Sequence, residues 1–263
     1  MNAQEQNWKN LFGDHTLEGT AWHGIWTVYS PEKEIIKSFQ GVRRFRANEE
    51  QTVITHTNNY TYSDGSTAEK TWQLEKQTCN QRDGVIHSAI PSMRALSFGQ
   101  GATAWVSKTL EIGKNFGAEL FFRYKDWRTS VASIYGESGD LEKITLIREH
   151  LDSSPDTARP QIDNFFLLGT WLGTKEYMNP DLKVSSAKET QALVLAPTEG
   201  KNETFFLPDG VVVNSPKRIK VGEEFEIVAG KLVSNDEYKR LTCKYDKSGA
   251  FALLISEVFC RDE

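Results

Sequence analysis

In "TVITHTNNY" (52–60), His56 and Tyr60 stand four residues apart, so on a strand they share one face with Ile54 and Asn58. An imidazole and a phenol side by side could hydrogen-bond a ligand or move a proton. Arg44, Arg94 and Arg123 each offer a planar fork that matches a carboxylate. Trp72, Trp105 and Trp127 supply flat apolar faces on which an extended or conjugated molecule can stack. These eight residues are the candidate contacts of a small hydrophobic ligand. Each also has a plain structural alternative: an arginine in solvent, a strand histidine satisfied by its neighbours, a tryptophan that simply fills a core.

Other chemistries leave no trace. HExxH, paired CxxC, GxxxxGK[ST] and GxSxG motifs do not occur, and the five histidines are too scattered to suggest a metal site. "GQGATA" (99–104) imitates a dinucleotide-binding loop, but no strand-to-helix crossover follows it, so it reads as an ordinary loop. Net charge is -5, and "RRFR" (43–46) is the densest basic stretch. Nucleic-acid binding, which needs a long basic surface, is not expected; "RRFR" reads as a strand with one arginine row in solvent.

The 263 residues, 38% hydrophobic and 25% charged, suffice for two ordinary domains with real cores. Three cysteines without paired spacing predict a reducing compartment. The opening "MNAQEQNWKNLFGDH" has no signal-peptide pattern and no run approaches the length of a membrane helix, so a cytoplasmic protein is expected.

Residues 3–12 space Trp8, Leu11 and Phe12 as a short amphipathic helix does. Short β-rich runs follow, among them "WTVYS", "TVITHT", "NYTYS", "ELFFRY" and "KITLI", separated by Asp-Gly and Ser-Gly turns. This spacing predicts an all-β antiparallel architecture. Residues 152–164 concentrate Ser, Pro, Asp and Asn without a strand pattern and are the expected linker, between a larger half over 1–151 and a smaller one over 165–263.

The halves share landmarks in the same order. "GTAWHGIW" (19–26) parallels "GTWLGT" (169–174); "YSDG" (62–65) parallels "LPDG" (207–210); "YGESGD" (135–140) parallels "YDKSGA" (245–250). With these motifs the chain resembles the calycins, and more narrowly a family of two-barrel lipocalin-like proteins of unknown function found chiefly in cyanobacteria. It is distantly similar to the S/U-type phycobilin lyases. The resemblance implies two tandem up-and-down barrels, each plugged by tryptophan at its closed end: Trp22 or Trp26 in the first, with Arg148 laid across it, and Trp171 in the second. The second barrel departs from this pattern: the Ser-Gly turns align Val258, not Arg261, with Arg148.

Six of the seven tryptophans lie before residue 152, which places the expected ligand in the first barrel. The first function this suggests is a binding or carrier protein for a pigment, bilin or isoprenoid-like molecule. Behind it stand a lyase passing a linear tetrapyrrole to a phycobiliprotein-like acceptor, and a cofactor-independent cyclase, isomerase or hydratase. No cofactor is required by any motif.

Overall fold

The computed structural model describes residues 1–99, 101–152, 171–185, 188–190, 193 and 202–261. The expected linker falls, but for Asp152, outside the described residues. A helix, α1 (Ala3–Phe12), opens the chain; the Asn2 side chain accepts from the Glu5 amide at 2.8 Å and caps it.

Eleven strands then build one antiparallel sheet: β1 (Thr20–Tyr29), β2 (Ile35–Ala47), β3 (Val53–Thr61), β4 (Thr67–Glu75), β5 (Asn80–Gln81), β6 (Gly84–His87), β7 (Ile90–Gly99), β8 (Ala102–Ser107), β9 (Phe116–Tyr124), β10 (Trp127–Tyr135) and β11 (Leu141–Leu151). The one-turn helix α2 (Lys76–Cys79) joins β4 to β5. Sheet order is β4-β3-β2-β1-β11-β10-β9-β8-β7-β6-β5. Neighbours in sequence are thus neighbours in space, and β1 meets β11. The free edges, β4 and β5, are consecutive in the chain, and Trp72 on β4 touches His87 on β6 with ring centroids 5.2 Å apart. The sheet is therefore curled into a nearly closed barrel. Two expected strands, "TVITHT" and "NYTYS", prove to be continuous as β3, and of the expected loop "GQGATA", Gly99 ends β7 while Ala102, Thr103 and Ala104 open β8.

The second sheet comprises β12 (Trp171–Met178), β13 (Lys188–Thr190), β14 (Asn202–Leu207), β15 (Val211–Pro216), β16 (Phe225–Ser234), β17 (Glu237–Tyr245) and β18 (Phe251–Arg261), in the order β13-β12-β18-β17-β16-β15-β14. First strand pairs with last here too. Trp22 stands opposite Leu151, and Trp171 opposite Arg261, so the two tryptophans hold equivalent places. The "YSDG" and "LPDG" turns do not. "YSDG" joins β3 to β4, whereas "LPDG" joins β14 to β15, the counterparts of β7 and β8. Turn chemistry alone produced that match, since Asp-Gly suits any tight hairpin.

The sheets meet through reciprocal contacts. Tyr135 Oη donates to Pro216 O, and Tyr245 Oη donates to Ser107 O, each at 3.0 Å. The Ile219 amide donates to Gly139 O at 2.9 Å, and the Leu110 amide to Gly249 O at 2.8 Å. Leu141 N reaches Lys217 O as Phe251 N reaches Lys108 O. Each "Tyr-x-x-Ser-Gly" turn is thus clasped by the opposite half, and the two Ser-Gly glycines take positive φ, 82° and 81°. Phe116, Phe225 and Tyr245 pack ring against ring between the clasps, within a hydrophobic core common to both sheets.

Each tyrosine bond satisfies a buried carbonyl across the interface. Tyr135→Phe and Tyr245→Phe are each expected to lower unfolding free energy by about 1–3 kcal/mol, to similar extents, in urea denaturation followed by circular dichroism. A large effect of one and none of the other would contradict the reciprocity.

Candidate ligand-binding site

Strand alternation sorts the first sheet into two faces. On β11, Ile144 and Leu146 belong to the core shared with the second sheet, while Ile147 faces the barrel interior. On β9, Leu120 and Phe122 face the shared core; Glu119, Phe121 and Arg123 face inward. On β2, Arg43 and Phe45 turn in and Arg44 and Arg46 turn out. The inward faces enclose a cavity of about 720 Å³, within the range of drug-sized ligand pockets.

Aromatic rings line it in a continuous belt. Phe12, His15, Phe45, His56, Trp72, His87 and Trp105 follow one another at centroid distances of 6.1, 4.8, 4.2, 4.3, 5.2 and 4.9 Å. A second group forms where Trp26 meets Tyr60 edge-on at 5.9 Å. Gly41 makes room for it: a Cβ there would lie 2.2 Å from the Trp26 ring. α1 packs beside the cavity, with Trp8 and Phe12 in one hydrophobic cluster with Trp22, Phe45 and Ile54.

A buried charge network crosses the interior. Glu149, with no solvent exposure, forms an ion pair with Arg43 Nε at 3.2 Å and accepts a hydrogen bond from Arg128 Nε at 2.8 Å. Arg43 Nη2 also reaches Glu119 Oε1 at 3.0 Å, and Ser130 Oγ donates to the same oxygen at 2.8 Å. Two guanidiniums thus face two carboxylates. Both arginines lie over rings as well, Arg43 over Trp26 and Arg128 over Trp22 at 4.4 Å, which suits a weakly hydrated planar cation. Burial opposes the charge on Arg43, but Glu149 and Glu119 outweigh it and hold its pKa above the ordinary value.

The histidines are the opposite case. Burial, then the charge of Arg128, takes His15 down to about 4. Burial and then Arg43 push His56 well below its ordinary value, and burial lowers His87. The belt is therefore uncharged at neutral pH. His56 Nε2 donates to Asn58 Oδ1 at 2.9 Å and Asn58 Nδ2 donates to Tyr60 Oη at 2.8 Å. The Tyr60 hydroxyl hydrogen is left to point elsewhere, and burial raises the phenol's pKa so that it stays protonated.

Of the eight candidate contacts, His56, Tyr60, Trp72, Trp105 and Arg123 line the cavity. Three do not. Arg44 bonds Asn59 Oδ1 on the outer face, Arg94 pairs with Asp83 at 2.9 Å, and Trp127 packs edge-on against His150. Each is one residue out of phase with an inward neighbour: Arg43, Met93 and Arg128. Trp22 and Trp26, expected as plugs, line the cavity as well. Arg148 is not laid across Trp22. It shares a face with Ile144 and Leu146, as expected, but that face looks at the second sheet, where Arg148 meets Asp209 at 3.6 Å. Arg128 and Arg123 cover Trp22 instead. In the second sheet Trp171 is 1% exposed and Arg261 does lie over its ring at 5.0 Å.

Sequence reasoning missed Arg43, Glu119, Arg128 and Glu149. Glu119 within the apolar "GAELFF" was the available signal. Among the described residues no cluster of His, Cys, Asp or Glu is placed to hold a metal ion.

Replacing Glu149 by Gln would leave two buried guanidiniums short of a counter-charge. A loss of about 3–5 kcal/mol in unfolding free energy is expected, measured by urea denaturation; an unchanged midpoint would show that the network is not held as described.

A family model described as "Domain of unknown function (DUF3598), N-terminal" matches residues 4–154. A second, for the C-terminal domain of "Biogenesis factor required for ATP synthase 1", matches 186–258. No curated protein matches the chain. Among solved structures, a DUF3598 protein of unknown function from Nostoc punctiforme aligns over 100% of both chains at 19% identity, with a TM-score of 0.73; at that identity the likeness speaks for the fold alone. The S-type phycobiliprotein lyase CPES of Guillardia theta aligns over 58% of this chain and 96% of its own, at 10% identity and a TM-score of 0.34. With more than half of its length matched by the first model, the chain belongs to the DUF3598 family.

Proposed function

We propose that the chain binds one small, ring-bearing or conjugated ligand inside its N-terminal sheet. The observation that carries this reading is the pairing of a cavity of about 720 Å³ with a wall of neutral rings. A sheet of this size can fill itself with side chains, as small barrels do. This one places its large aromatic residues on the wall and leaves the centre open. Stacking against such a wall contributes about 0.5–1.5 kcal/mol per ring pair beyond area burial, and it favours flat, delocalised molecules over saturated ones. Among ligand types a linear tetrapyrrole meets these demands, and so does an isoprenoid-derived polyene.

N-Phenyl-1-naphthylamine, a neutral fluorophore that brightens in apolar surroundings, tests the reading. It is expected to bind at one saturable site and to be displaced by biliverdin if tetrapyrroles are accommodated. Trp72→Ala and Trp105→Ala should each weaken it at least tenfold, whereas Arg44→Ala, on the outer face, should leave it unchanged. No saturable binding, or equal binding by all three variants, would remove the cavity reading. Displacement by other polyenes but not by biliverdin would remove only the tetrapyrrole.

A further inference from the structure

Charge is distributed unevenly along the cavity. In the interior, Arg43 and Arg128 are matched by Glu119 and Glu149, and the histidines are neutral. At the rim the balance changes. Arg123 and Lys125 come from the β9–β10 hairpin and Lys239 comes from β17 of the second sheet; Asp14 is the one acidic residue lining that rim among the described residues. Lys239 has a further partner in Glu237, at 3.3 Å, and its side chain is only 17% exposed. Asp14 pairs with Arg123 at 3.3 Å but is itself 84% exposed. A local excess of cations on a chain of net charge -5 is a feature to account for.

We propose that the ligand is amphipathic: its ring-bearing body enters the cavity, and an anionic oxygen group, a carboxylate in the simplest case, stays at the rim between cations supplied by both sheets. This rests on the cavity-binding reading above and names the chemical class that site takes. Arg123, Lys125 and Lys239, all lining the cavity, set opposite charge around such an oxygen. The interior, already balanced, asks nothing of the ligand's charge, so the anion belongs at the mouth and not at the floor. Lys239 shares its strand face with Leu241, Cys243 and Tyr245, which lie in the common core. The reciprocal clasps that dock the sheets therefore also set the position of Lys239. The second sheet completes a site that the first encloses.

Two probes with one ring system separate the claims. N-Phenyl-1-naphthylamine is neutral; 8-anilino-1-naphthalenesulfonate carries the same rings and an anionic sulfonate. On the full chain the sulfonate is expected to bind at least tenfold more tightly than the neutral probe and to displace it. In the double variant Lys125→Met/Lys239→Met that preference should shrink to less than threefold, with the neutral probe's affinity unchanged as a check on folding. Equal affinities of the two probes for the native chain would overturn the anionic-end proposal and leave the cavity reading intact. So would a preference that survives in the double variant. Failure of both probes to bind would overturn the cavity reading and this proposal with it.

Discussion

One carboxylate holds the site together. Glu149 sits at zero exposure between two guanidiniums, and the strands that carry the three residues, β11, β2 and β10, are not all neighbours. Ion pairs buried this deeply contribute little net stability over an apolar replacement, because desolvation consumes most of the attraction. What they do impose is geometry. Arg43 and Arg128, held by Glu149, lie over Trp26 and Trp22, which favours keeping those rings on the wall rather than in the centre. The cavity stays open because its walls are tied to each other rather than to a filling side chain.

The fold was legible in the sequence to the extent that local rules govern it. Asp-Gly and Ser-Gly turns, β-branched runs and the capped first helix all state their structure within a few residues. The recurring Tyr-x-x-Ser-Gly was informative for a stronger reason: each copy is clasped by the other half, so the contact itself requires the motif. "YSDG" and "LPDG" misled because Asp-Gly serves any hairpin, and nothing in the four residues records which strands it joins. The site was harder to read. Trp72, His56 and Tyr60, named from residue type, line the cavity, but Arg44 and Arg94, named because a guanidinium matches a carboxylate, sit one position out of phase with it, since residue type does not say which face of a strand looks inward. One position of phase separates an arginine in solvent from one in the cavity, and only Phe45, on the same face as Arg43, marked that phase. Arg148 was placed with the correct neighbours on a face whose partner, the second sheet, no local pattern reveals.

The two halves divide the work unequally. The first sheet has eleven strands and its interior is open; the second packs Tyr238 and Phe259 around Trp171. Docking them through matched hydrogen bonds brings Lys239 of β17 to the lining of the first sheet's cavity. The same docking buries one face of β9, β10 and β11 and stiffens the wall that carries Glu119, Arg128 and Glu149.

The seven tryptophans allow the central claim to be tested inside one sample. In two-dimensional NMR of the ¹⁵N-labelled chain, each indole N–H gives one signal, assigned by single Trp→Phe variants. On titration with N-phenyl-1-naphthylamine the account predicts shifts for Trp22, Trp26, Trp72 and Trp105, which line the cavity, and none for Trp127 or Trp171. Signals of Trp127 or Trp171 moving while the other four stay in place would contradict it.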